Sequence, residues 1–393
     1  MKIDAKELLS RGVEDVIEKK HLERTLQSGK PLRVKFGIDP TGKKIHIGRA
    51  VLLWKLRAFQ DLGHHIILIV GDFTAQVGDP SDKLEKRPFL SQKQVEENLK
   101  NYLPQLGTIL DLNKTEVRYN SEWLSKLDFQ EISKLAELFT VQQMIERKNF
   151  KERWTQHKEI SIREFLYPLM QGYDSYVVKA DLEIGGTDQL FNLMAGRKIQ
   201  ERYGQEPQDI ITCSMLSGLD GRKMSTSWGN VITITDDPNE QYGKLMSMRD
   251  EMIEEYFTLA TDVPLAEIKK YVRALKAGEN PKAVKEKLAS AIVERYHGPK
   301  AAEGAAEEFR KIFVQKDLPS KMPKLKLSGK NITLVDALLK AGIKSKSEAR
   351  RLIEQGGVSL NDVVLNDSSQ ELKFAIGDVL RIGKRKFFQI SKN

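Results

Sequence analysis

The run His65-Ile66-Ile67-Leu68-Ile69-Val70-Gly71 is apolar without alternation. A strand of that kind is covered on both faces, and such strands belong to parallel sheets. Before it, Leu32–Ile38 reads as a strand with a turn-rich end. His46–Leu62 reads as a helix with Val51, Leu52, Leu56, Phe59 and Leu62 on or near one face. Strand, helix and strand of these lengths make a βαβ unit with a right-handed crossover. The expected class is therefore α/β. The loop Gly71–Pro80 then falls at the carboxyl end of the second strand, where open α/β sheets bind ligands.

The rest of the chain is less uniform. Residues from about 90 to 180 read as helical and charged, anchored by Trp123, Phe139, Met144 and Phe150. Leu182–Ile184 reads as a strand running into Gly185-Gly186, followed by a helix from Asp188 to about Tyr203 and a short strand Ile210–Cys213. Gly218–Asn230, rich in Gly, Ser and Lys, is expected to be a mobile loop. A helical block follows, in which Pro264 and Pro281 suit first turns and Leu265, Ile268, Val272 and Leu275 form an amphipathic stripe. Gly298–Phe313 is another expected helix. Lys316–Lys330, with two prolines and five lysines, reads as a linker. The last sixty or so residues read as two short helices followed by strands ending at Ile390.

At 393 residues the chain can bury two or three cores. No apolar run approaches the ~18 residues of a membrane span, and Met1–Lys6 carries no apolar signal region. One cysteine, Cys213, excludes an internal disulfide and a multi-cysteine zinc site. A cytoplasmic location is the expectation. The net charge of +9 is uneven: from Gln315 onward there are 16 Lys and Arg against 8 Asp and Glu. Basic excess gathered at one end suggests a nucleic-acid partner for that end.

Two distant segments point to chemistry. Gly37-Ile38-Asp39-Pro40-Thr41 and Ile45-His46-Ile47-Gly48-Arg49 surround a helix N-terminus, whose unpaired N–H groups and positive dipole end suit clustered phosphates. His46 can donate to a phosphate oxygen that gains charge in the transition state, and Gly48 lets a nucleotide lie against backbone. About 175 residues later comes Lys223-Met224-Ser225-Thr226-Ser227. A lysine on such a loop supplies a point charge to a leaving pyrophosphate. A lone His-x-Gly is usually only a capping turn, and a loop lysine is usually only solvated. The pairing of the two segments within one α/β domain is what points to ATP.

With these motifs the chain resembles the class I aminoacyl-tRNA synthetases, with a HIGH-type motif at His46–Arg49 and a KMSKS-type motif at Lys223–Ser227. Within that class it is similar to the bacterial tyrosyl-tRNA synthetases from end to end. Gly37–Thr41, Gly78-Asp79-Pro80-Ser81, Tyr167-Pro168-Leu169-Met170-Gln171-Gly172-Tyr173-Asp174, Gly185-Gly186-Thr187-Asp188-Gln189 and Tyr119–Leu124 carry the likeness. It implies a Rossmann-like parallel-sheet catalytic domain at 1–230 with a helical insertion at about 90–180. A helical anticodon-binding domain at 231–315, a basic linker at 316–331 and a small α+β S4 RNA-binding domain at 332–393 follow.

The resemblance also implies residue roles. Asp79, Tyr167 and Gln171 accept from the substrate ammonium, Asp174 accepts the phenol O–H, and Gln189 orients the carboxylate. Gly37, Asp39, Thr41, His46, Gly48, Gly186, Asp188, Lys223 and Thr226 border ATP. Either Asp39 or Asp188 holds the α-amino group and the other the ribose. His46, Arg49, Lys223 and Ser225, with Lys83 and Arg87 on the loop after Gly78–Ser81, act on the phosphates. ATP enters as substrate with Mg²⁺, no tightly bound cofactor is expected, and the partners are L-tyrosine, tRNA(Tyr) and a second copy of the chain, paired through residues near 110–160. No membrane is involved. In the S4-like segment, Arg350 and Arg351, with Lys384, Arg385 and Lys386 beside Phe387 and Phe388, are the expected RNA contacts.

Three positions depart from the family pattern. Arg49 stands for a second histidine and Thr226 for the second lysine of the KMSKS-type loop. Lys35 stands where one branch has a tyrosine touching the substrate phenol. Two rival readings are a tryptophanyl sibling, which shares both nucleotide motifs, and an RNA-binding protein with an inactive synthetase body.

Overall fold

The computed structural model describes residues 5–40, 42, 44–81, 90–224, 228–315, 318–319, 322–327, 332–383 and 386–391. The expected residues Thr41, Lys83, Arg87, Ser225, Thr226, Lys384 and Arg385 lie outside the described residues. The chain divides into two compact units, Met1–Ala302 and Glu303–Asn393. No helix among the described residues is long and apolar enough to cross a membrane.

The first unit is built on a six-stranded sheet in the order β1-β6-β5-β2-β3-β4. Its strands are β1 (Val13–Ile17), β2 (Arg33–Ile38), β3 (His65–Val70), β4 (Thr115–Tyr119), β5 (Leu182–Gly186) and β6 (Asp209–Cys213). The pairs β2–β3, β3–β4, β2–β5 and β5–β6 are parallel, and only β1 runs antiparallel, on β6. The unbroken apolar run of β3 has its expected cause: Ile66, Ile67 and Leu68 are all fully buried. The Ile47–Asp61 helix makes the expected crossover between β2 and β3.

Two strands escape the pattern reading. β4 lies inside the segment read as helical, because its Thr-Glu-Val-Arg-Tyr sequence mixes polar with apolar positions at a sheet edge. β1 is likewise an edge strand, with only partial burial.

Strand order reverses direction between β2 and β5, the switch point at which open α/β sheets bind ligands. These two strands pair only at Val34↔Leu182 and Lys35↔Glu183. Beyond that rung the residues Gly37, Ile38, Ile184, Gly185 and Gly186 line a cavity of about 900 Å³.

Helices Pro238–Met246, Ile253–Ala260, Leu265–Lys276 and Pro281–His297 follow the sheet. Tyr256, Phe257, Leu288 and Ile292 form their buried side. Pro281 occupies the first turn as expected, whereas Pro264 is the residue just before its helix. Of the predicted stripe only Ile268 is fully buried.

The second unit contains helices Leu334–Lys340 and Lys346–Glu354 and a five-stranded sheet in the order β7-β11-β10-β8-β9. Its strands are β7 (Lys324–Lys326), β8 (Val358–Leu360), β9 (Val363–Val364), β10 (Val379–Ile382) and β11 (Lys386–Ser391). The segment read as a linker thus contributes β7, an edge strand parallel to β11 that buries Leu325 between two exposed lysines.

Candidate active site

The tip of the Ile47–Asp61 helix forms one wall of the cavity. His46 is its N-cap, and its Nδ1 accepts the Arg49 backbone N–H at 3.2 Å. Accepting at Nδ1 places the neutral ring's proton on Nε2, so that nitrogen is the donor. Burial, helped by the charges of Arg49 and Lys223, lowers the imidazole pKa to about 3. His46 is therefore neutral at physiological pH and can donate a hydrogen bond without carrying charge. Arg49 donates to the Tyr102 hydroxyl at 2.5 Å. Against Gly48 lie the His46 ring and the Met224 sulfur, 3.1 and 3.2 Å from where a Cβ would stand. A side chain there would press on the His46 ring and the Met224 thioether, and Gly48 itself lines the cavity.

The segment that follows the second motif is joined to the first by backbone. The Ile47 N–H donates to the Ile232 carbonyl at 2.9 Å, and Ile234 N–H donates to Ile45 at 3.0 Å. Lys223 approaches Asp188 at 3.4 Å. Asp39 belongs elsewhere: its carboxylate accepts from Thr74 Oγ1 at 2.8 Å and from the Tyr167 hydroxyl at 2.9 Å. Burial and the carboxylates of Asp39 and Asp79 hold the Tyr167 phenol well above its ordinary range, so it remains a donor. The alternatives left open by sequence thus separate in space. Asp39 lies with the expected amino-acid residues, and Asp188 lies with the lysine of the loop.

Tyr167, Gln171 and Asp174 project from one helix, Ile162–Val177, and all three line the cavity. Asp174 is only 3% exposed. It accepts from Trp123 Nε1 at 2.8 Å and from Asn120 Nδ2 at 3.3 Å. Burial raises its pKa to about 7, opposed by the charge of Lys35 and by the Trp123 and Asn120 hydrogen bonds. A carboxylate so enclosed keeps acceptor capacity for one more donor from the cavity side.

Asp79 accepts from Ser81 and from Gln189 Nε2, the latter at 2.7 Å. Asn192, fully buried, donates to both Gln189 Oε1 and Gln171 Oε1 at 3.1 Å, and receives Arg147 at 3.1 Å. Asn192, Thr74, Arg147 and Tyr102 were not found from sequence. Asn192, Thr74 and Tyr102 each bond a motif residue and Arg147 bonds Asn192, but none of the four stands at a spacing that marks it out. Asn120 and Trp123 lay in a family-like segment, and only the fold shows that they hold Asp174.

In the second unit Arg350 and Arg351 are exposed on the Lys346–Glu354 helix, and Lys386 is exposed at the start of β11. The aromatic pair is mostly covered by protein. Phe387 is 7% exposed, with the Arg381 guanidinium 5.2 Å over its ring, and Phe388 packs on the apolar core. Consecutive on β11, the two rings face opposite sides of the sheet: Phe387 lies under Arg381 and Phe388 against the core.

Comparison with known proteins agrees with this geometry. The family model for class I tRNA synthetases (W and Y) matches residues 27–314, and that for the tyrosine–tRNA ligase SYY-like C-terminal domain matches residues 314–390. The tyrosine–tRNA ligase of Thermotoga maritima is 48% identical over 98% of this chain and 96% of its own. The chain belongs to the tyrosyl-tRNA synthetase family. That of Aquifex aeolicus is 44% identical over 98% of this chain and 97% of its own. Among solved structures, a C-terminally truncated mitochondrial tyrosyl-tRNA synthetase from Aspergillus nidulans matches with TM-score 0.64 at 23% identity, covering 78% of this chain and 93% of that one. Tyrosyl-tRNA synthetase from Archaeoglobus fulgidus, complexed with L-tyrosine, matches with TM-score 0.61 at 21% identity, covering 76% and 98%. At these identities the structural matches speak for the fold.

Proposed function

We propose that the chain activates L-tyrosine with ATP to tyrosyl-adenylate and then transfers the tyrosyl group to tRNA(Tyr). The observation that carries this reading is Asp174: a buried carboxylate on the cavity wall, held by two N–H donors and able to accept a phenol O–H. A substrate without that hydroxyl leaves the carboxylate short of a partner, and an unpaired buried polar group is costly.

In this scheme the Tyr167 oxygen, Gln171 Oε1 and Asp79 take the substrate ammonium, and Gln189 sets the carboxylate for in-line attack on the α-phosphorus. Pyrophosphate leaves toward His46 and Lys223. No enzyme group is covalently modified; catalysis is positioning plus charge stabilisation. His46 contributes an uncharged donor and Lys223 a point charge. Arg49, anchored by Tyr102, stands beside the nucleotide. A hard cation commonly takes one or two carboxylates plus substrate phosphates, and the Asp188 carboxylate, in the cavity wall beside Lys223, suits one such place. Mg²⁺ bound with ATP would neutralise charge on the leaving group.

The wider reading keeps a catalytic domain at 1–230, an anticodon-binding helical domain at 231–315 and an RNA-binding domain at 332–393. Exposed Arg350, Arg351 and Lys386 would meet tRNA phosphates. A homodimer is supported by apolar side chains left in water on the insertion, notably Phe129 (85% exposed), Trp154 and Ile162 (79%). A lone buried thiol suits the cytoplasm. ATP–pyrophosphate exchange with tyrosine, phenylalanine and tryptophan tests the central reading. Exchange should occur with tyrosine alone, and exchange driven by tryptophan instead would refute it.

A further inference from the structure

Beneath the split between β2 and β5, on their last paired rung, lies a buried ion pair. Lys35 and Glu183 are 0% and 1% exposed, with Nζ 2.9 Å from Oε1. The Lys35 ammonium also donates to Ser175 Oγ and to the Gln171 carbonyl, both at 2.8 Å. Three donors meet three acceptors. Lys35 therefore has no donor left for a substrate phenol, although it stands where some relatives carry a tyrosine that touches one. The other oxygen of Glu183 accepts from Ser175 at 2.9 Å and Gln208 at 2.6 Å.

The consequence falls on Gln171. An amide can present either its oxygen or its NH₂ to a substrate, and the two ends differ little in shape. Glu183 Oε1 is an acceptor only, and Gln171 Nε2 donates to it at 3.2 Å. The Gln171 oxygen must then point the other way, where Asn192 donates to it. We propose that the Lys35–Glu183 pair is a positioning device that fixes the polarity of the Gln171 amide, so that its oxygen, rather than its NH₂, meets the substrate's ammonium. This rests on the reading of the cavity as the tyrosine site. Stability alone does not call for the charges, because a well-packed apolar pair usually serves as well as a buried ion pair. What an apolar pair cannot do is reject one face of an amide.

The test uses tyrosine-dependent ATP–pyrophosphate exchange by the full chain. In Lys35→Met/Glu183→Gln both charges go while shape is kept, and the new amide can donate as well as accept, which leaves the Asn192 donor to hold the Gln171 oxygen without help from a carboxylate. The KM for tyrosine should rise about tenfold, with kcat and the KM for ATP within about twofold of the parent. Gln171→Ala should cost far less in that background than in the parent, since the two changes remove one interaction. If the double variant loses its structure, Lys35→Met/Glu183→Met gives the same comparison with an apolar pair. An unchanged tyrosine KM in either folded variant, or an equal effect of Gln171→Ala in both backgrounds, overturns the proposal. A parent chain showing no exchange with tyrosine overturns the functional reading instead.

Discussion

The two ends of the cavity are built differently. At the amino-acid end, Gln171, Gln189 and Asp79 are joined through Asn192, Glu183 and Lys35 into one network, and Asp174 is held separately by Trp123 and Asn120, most of these groups being shut off from water. At the nucleotide end, Lys223 keeps a side chain 40% exposed and meets Asp188 at 3.4 Å, a longer and wetter contact. A network fixed before binding discriminates, because a wrong ligand cannot recruit the groups it would need. Exposed charges gain strength only when a ligand displaces water around them. Selectivity should therefore reside at the first end and turnover at the second.

The largest effect that would sharpen this contrast is expected from Lys223→Ala. Losing the one lysine charge placed for the leaving group should cut kcat about 10²–10³-fold while leaving the tyrosine KM near the parent value, read by ATP–pyrophosphate exchange over a range of tyrosine concentrations. An equal rise in tyrosine KM would break the division. Next comes Asp174→Ala. Loss of a charge-assisted hydrogen bond, with Trp123 and Asn120 left unpaired, should lower kcat/KM for tyrosine about a hundredfold and narrow the preference over phenylalanine. Competition of the two amino acids in exchange measures it.

A smaller effect comes from pH. The Asp174 pKa of about 7 lies well above the ordinary 3.8 of an aspartate. The ionised form is the phenol acceptor, so kcat/KM for tyrosine should rise about tenfold per pH unit below 7 and level off above it. Asp174→Asn should flatten that limb. Stability runs the opposite way. Between about pH 4 and 7 the folded chain holds a proton that the unfolded chain releases, so this group's contribution falls as pH rises through that window and stays constant above it. Urea midpoints at pH 5 and 8, for the parent and Asp174→Asn, check the sign.

The smallest effect inside the cavity should come from outside it. Arg350→Ala with Arg351→Ala should leave exchange unchanged at both ends. It should weaken tRNA binding severalfold and reduce the slope of its salt dependence by about one unit for each phosphate no longer neutralised. A change in exchange would show that the cavity does not work alone.

Much of this was legible in the chain. The apolar run at His65–Gly71 specifies a covered strand, since burial on two faces admits no polar alternation, and it brings the parallel sheet with it. The i, i+4 spacing of Tyr167 and Gln171, continued to Asp174, puts the three on one helical face. The likeness at Gly185–Gln189 located the opposite wall. Edge strands such as β4 and β7 escaped because one-sided burial leaves a weak and mixed pattern. Nor could the sequence assign Phe387 and Phe388 to a core or a surface, since a basic neighbour suits either.

Local order thus came from periodicity, which each segment carries within itself. Which groups meet was a matter for the tertiary structure alone: Asp39 with Tyr167, Asp188 with Lys223, Asn192 between two glutamines, and Lys35 against Glu183. Contacts across as many as 148 residues depend on how strands order and split. A hydrogen bond is directional over about 3 Å, a precision that residue spacing along a chain does not encode.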